Sequence, residues 1–193
     1  MESITPPTDL HEYHIFIPYK VMVNIINYLQ KHFTTTICDE GQEIFLKALL
    51  GYYNNPNMKI YESIGREINR IDDIPMLKDD LNKYGFLSVS IQLNNLEHSF
   101  VLVNTEKGVY IVDSYVLVRC VGYRSFNFDK LSNINSLEAW NELFLSNEKR
   151  LRNERDVFVI YYGYYYPLTY NIKNNIINPN YNEFLDILKL TEY

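Results

Sequence analysis

Glu97 to Tyr115, E-H-S-F-V-L-V-N-T-E-K-G-V-Y-I-V-D-S-Y, constrains this chain more than any other stretch. Two short apolar runs, Phe100 to Val103 and Val109 to Val112, flank a polar break containing Lys107-Gly108. β-Branched and aromatic segments split by a glycine-containing turn predict a β-hairpin. His98 opens the first strand and Asp113 closes the second. In an antiparallel hairpin the start of one strand lies beside the end of the other, so the two fall at the same end of the sheet. A carboxylate beside an imidazole fixes its tautomer and stabilises its charged form, as a catalytic base requires. The alternative is a surface histidine and a strand-end turn aspartate.

The surroundings of the hairpin define the fold class. From Phe86 the period is two: Leu87, Val89, Ile91 and Leu93 alternate with Ser88, Ser90 and Gln92. That is a half-buried strand, and Asn94-Asn95 turns it into the hairpin, giving three consecutive antiparallel strands. Val157 to Tyr162 is a last apolar strand, followed by the tyrosine cluster Tyr164 to Tyr166. Before the sheet the period is helical. Met22, Ile25, Ile26, Leu29 and Phe33 mark one helix, and Ile44, Phe45, Ala48, Leu49 and Tyr52 a second. The second begins near Asp39, which forms a capping-box pattern with Gln42. Ile60, Ile64, Ile68 and Ile71 predict a third helix, and Met76 to Tyr84 a fourth, stopped by Gly85. Ser114 to Tyr123 is β-like, Asn135 with Glu138 suggests a capped helix through Phe144, and Asn180 to Leu190 reads as a terminal helix. The expectation is an α+β fold, with N-terminal helices packed on an antiparallel sheet. Residues 1–193 form a single domain with a flexible arm over 1–10, where Pro6 and Pro7 block regular structure.

Charge and cysteine usage narrow the function classes. The net charge of −6 argues against a dedicated nucleic-acid binder, which needs a basic face. No apolar run approaches the roughly 20 residues that span a bilayer, and Met1 to Leu10 lacks signal-peptide character, so no membrane partner is expected. Cys38 and Cys120 allow at most one disulfide, and a reducing, cytosol-like compartment with two free thiols follows. His11-Glu12-Tyr13-His14 spaces its histidines three apart rather than four, without a third ligand, so neither metal nor cofactor is expected. The mixed-sign run Glu148 to Asp156 reads as a solvated helix end.

Cys38 sits just before the second helix, where the helix dipole favours a thiolate and the acidic Asp39 and Glu40 oppose it. A buried, inert thiol is the alternative. A nucleophilic cysteine needs a base and a group to orient that base. Cys38, His98 and Asp113 supply these in chain order. The order, the fifteen-residue spacing of His98 and Asp113, and the run C-D-E-G-Q-E-I-F-L-K-A-L-L resemble the papain-like superfamily in its transglutaminase-like branch, which includes arylamine N-acetyltransferases. The resemblance covers about Thr34 to Tyr115. Phe100, two residues after the histidine, fits the family; Ser114 stands where proline often follows the aspartate, and Thr36-Ile37 replaces the usual glycine before the cysteine.

The resemblance implies a papain-like fold and a cysteine protease-like hydrolase or acyl transferase. Cys38, His98 and Asp113 would be its triad, and an amide in a protein or peptide its substrate. Gln30, upstream of Cys38, would be the oxyanion donor together with the Cys38 amide. A non-catalytic interaction protein on the same fold, such as a host-directed viral factor, is the competing expectation. The abundance of Asn, Ile, Lys and Tyr, which suggests AT-rich coding, looks like that of large DNA viruses. Cys120, in a β-like stretch without a helix dipole, is the weaker candidate for the thiol.

Overall fold

The computed structural model describes residues 14–33, 38–54, 66–68, 74–93, 96–113, 124–127, 158–163 and 166–190. The arm over 1–10, the β-like stretch 114–123, the capped helix from Asn135, the run Glu148 to Asp156, and Cys120 lie outside them. Helix α1 spans Tyr19–His32, starting directly after Pro18, and α2 spans Cys38–Tyr52. Strand β1 is Arg66–Ile68 and helix α3 is Ile74–Tyr84. Strands β2, Phe86–Leu93, β3, Leu96–Thr105, and β4, Gly108–Asp113, follow without interruption by a helix. Strand β5 is Arg124–Asn127 and β6 is Phe158–Gly163. Helices α4, Tyr166–Lys173, and α5, Tyr181–Leu190, complete the described elements. The fold is α+β, and its sheet is antiparallel throughout, in the order β1-β6-β2-β3-β4-β5.

The hairpin forms as the sequence predicts. Val101 pairs with Val112 and Val103 with Tyr110, and Gly108 takes a positive φ of 120° at the turn. Gly85 stops α3 in the left-handed conformation, φ 81°, donating its N–H to the Leu81 carbonyl at 2.8 Å. The alternation in β2 divides the sheet into two buried faces. Phe86, Val101, Val103 and Val112 join one core with Met22, Ile25 and Leu29 of α1, Ile44, Phe45, Ala48 and Leu49 of α2, and Leu185 and Leu188 of α5. Leu87, Val89, Phe100, Leu102 and Tyr162 hold the opposite parity and are buried too. Helix α3 covers that side: Leu77 and Leu81 are buried, and the Tyr162 hydroxyl donates to Asp80 Oδ2 at 3.0 Å.

Three elements differ from the sequence expectation. The isoleucines from Ile60 to Ile71 predict a helix, yet Arg66–Ile68 is a strand whose Ile68 pairs with Ile160. Sheet hydrogen bonds offered by β6 override a four-residue spacing that gives no cap and little length to hold a helix. The helix expected from Met76 begins two residues earlier, at Ile74 and Pro75, and proline suits a first helical turn because its missing N–H is not needed there. Helix α4 starts at Tyr166, in what reads as an aromatic cluster following a strand.

Candidate functional site at the start of the second helix

Position 38 opens α2, as expected for a cysteine before a helix N-terminus. The first turn of α2 is bound to the sheet by polar side chains. Ser99 of β3 donates its hydroxyl to Asp39 Oδ1 at 2.8 Å. The Ser90 and Ser99 hydroxyls lie 3.0 Å apart. A serine hydroxyl carries a single hydrogen, so with Ser99 donating to Asp39, Ser90 donates to Ser99. One turn on, Gln42 Nε2 donates to the Phe100 carbonyl at 2.7 Å and to the Val89 carbonyl at 3.1 Å. Asp39 and Gln42, the two residues of the capping-box pattern, thus tie α2 to β2 and β3.

This geometry brings chain-distant residues together. Cys38 precedes Asp39 and His98 precedes Ser99, so each is the immediate neighbour of a residue in one hydrogen bond. The register sets a second relation. Ser99 pairs with Ser90 on the α2 side of the sheet, and His98, paired with Ile91, holds the alternate position, in phase with Phe100 and Leu102. Asp113 pairs with Arg124 of β5, one residue beyond the Val101–Val112 pair. His98 lies three residues before Val101, toward the same end of the hairpin.

Gln30 sits in the last turn of α1 and is exposed, while Val21, Met22, Ile25, Ile26 and Leu29 form the buried side of that helix. The glutamine that reaches β3 is Gln42. Comparison with protein-family models, curated proteins and solved structures returns no match. Among the described residues no group of three or more His, Cys, Asp or Glu side chains could hold a metal ion, and no helix is long and apolar enough to cross a membrane.

Chemically, the start of α2 combines a helix N-terminus, whose dipole favours negative charge, with two carboxylates that oppose it. The Asp39 carboxylate is engaged by the sheet through Ser99. Asp39 is itself exposed, whereas Ser99 is only 3% exposed, so the bond joins a buried strand position to a surface carboxylate of α2.

Proposed function

We propose that the chain is a thiol-dependent hydrolase or acyl transferase of papain-like type, acting on amide bonds of a protein or peptide. Cys38, as its thiolate, attacks the carbonyl carbon. The tetrahedral oxyanion is stabilised by the Cys38 backbone N–H at the helix start. His98, having taken the thiol proton, returns it to the departing amine, leaving a thioester that water or an acceptor nucleophile resolves. Asp113 orients His98 and stabilises its imidazolium. No cofactor or metal enters this scheme, and its two free thiols suit a reducing compartment, that of a host cell if the chain is viral.

The observation that carries this reading is the 2.8 Å bond between Asp39 and Ser99, which joins the immediate neighbours of Cys38 and His98. Gln30, the expected second oxyanion donor, has weaker support, because it lies on the exposed side of α1.

A second reading, a non-catalytic interaction protein on the same fold, is favoured by the register. Ser99 holds the position toward α2, and His98 the alternate one. The two readings separate on alkylation by iodoacetamide at neutral pH, followed by mapping of the modified cysteines. The enzyme reading expects Cys38 to react faster than Cys120, and His98→Ala to remove that advantage. Equal reactivity of the two thiols, unchanged by His98→Ala, supports the interaction protein.

A further inference from the structure

We infer that residues 15–19 are a strap, clasped by Glu106 of the β3–β4 turn, that opens and closes as one unit while the core of the protein stays folded.

The segment is held as a groove holds an extended peptide, by main-chain hydrogen bonds with alternate side chains seated. The N–H groups of every second residue go to three separate elements. Ile15 donates to the Asn82 carbonyl of α3 at 2.8 Å, Ile17 to the Asn104 carbonyl of β3 at 2.7 Å, and Tyr19 to Glu106 Oε2 at 2.8 Å. The side chains follow the same period: Ile15 and Ile17 are buried, and His14, Phe16 and Pro18 are exposed. Residues 15–18 nevertheless belong to no strand of the sheet.

Asn104 explains why a strap is needed there. Gly85 donates its N–H to the Leu81 carbonyl to stop α3, so it cannot return a ladder bond to the Asn104 carbonyl, although Asn104 donates its own N–H to Gly85. Ile17 serves that carbonyl instead. Asn104, only 3% exposed, also donates Nδ2 to the Ile15 carbonyl at 3.0 Å. The clasp lies at the other end of the strap. Helix α1 has no acidic residue in its first turn, and Pro18 gives no side-chain cap, so the carboxylate that meets its N-terminus is Glu106. Lys107 Nζ stands 4.4 Å from the centre of the Tyr19 ring, and the Tyr110 ring lies 5.2 Å from it. Thr105 Oγ1 donates to the Gly108 carbonyl and accepts from the Lys107 N–H, which holds the turn in shape.

Glu106 and Lys107 are exposed, so water competes for this clasp as it does not for the Asn104 bonds. At the outer end His14 holds φ 74°, an uncommon conformation for a residue other than glycine, which opening relaxes. Opening frees the Asn82 and Asn104 carbonyls, the Glu106 carboxylate and the seats of Ile15 and Ile17 together. It takes place at the turn end of the hairpin, whereas His98 lies toward the opposite end of β3.

Amide hydrogen exchange of the full-length chain, resolved by NMR, reads the opening directly. In the wild type, Ile15, Ile17 and Tyr19 should share one protection factor, below that of Val101 and Val103 in β3. Glu106→Ala, a change at an exposed side chain, should speed exchange at all three amides about tenfold, the size expected for losing one hydrogen bond to a charged acceptor. Val101 and Val103 should not change. Faster exchange at Tyr19 alone would make Glu106 a local helix cap. Equal acceleration at Val101 and Val103 would tie the strap to global unfolding, and no change at any of the three would remove the clasp. Each of these three results overturns the inference.

Discussion

The Phe184 ring of α5 occupies the space where a side chain at Gly51 of α2 would stand. Glycine at this position lets the two helices approach closely. A methyl group there must displace the ring, a cost of about 1–3 kcal/mol for overpacking. The gain in helix propensity, about 1 kcal/mol for Gly→Ala, offsets only part of it. Gly51→Ala should therefore lower the urea midpoint, and Phe184→Ala in the same chain should cost less than it does alone. A stabilised Gly51→Ala protein would contradict the close approach of α2 and α5.

Tyr162 and Asp80 make the corresponding link on the other side of the sheet. Both are buried, at 2% and 8% exposure, and the tyrosine hydroxyl donates to the carboxylate at 3.0 Å. Tyr162→Phe removes that donor and leaves the packing. A loss of about 1.5–3 kcal/mol is expected, the range for hydrogen bonds to charged groups. Equilibrium unfolding of the variant checks this, and a change below about 0.5 kcal/mol would detach α3 from that face.

Alkaline stability follows from two tyrosines. Burial above all, then the neighbouring Tyr52, pushes the Tyr53 and Tyr181 hydroxyls well above the usual value of 10.0; Glu106 adds to the effect at Tyr53 and Tyr28 at Tyr181. Above about pH 10 the unfolded chain releases these protons while the folded chain keeps them. The unfolded state then binds fewer protons, so stability falls as pH rises, by up to about 1.4 kcal/mol per pH unit for each group. Urea unfolding between pH 8 and 11.5 should show a plateau and then this decline. Tyr181→Phe should make the decline shallower; an identical slope would contradict burial of that hydroxyl.

The sequence makes the local elements plain and the long-range arrangement obscure. The hairpin, the strand from Phe86, the helix after Pro18 and the stop at Gly85 all appear where periodicity and turn chemistry put them. The insertion of β6 between β1 and β2 is a contact across nearly half the chain, and no local signal encodes it. Ser88, Ser90 and Gln92 have the pattern of a wet strand face. In the folded chain the Ser90 side meets α2, because Asp39 and Ser99 supply polar partners there. Spacing reads Gln42 as part of a capping box, whereas its side chain donates to the Val89 and Phe100 carbonyls of the sheet, partners that spacing alone does not give. Cys38 at a helix start was legible; which of the adjacent His98 and Ser99 faces α2 follows only from register, which a one-residue slip would invert.

If Cys38 and His98 act as one unit, the distance between them in a crystal structure of the wild-type chain shows it. The Cys38 Sγ is expected within about 4 Å of an imidazole nitrogen of His98, hydrogen-bond reach with the looseness of an unliganded site. A separation of more than twice that would contradict a shared site and leave the interaction protein as the reading that stands.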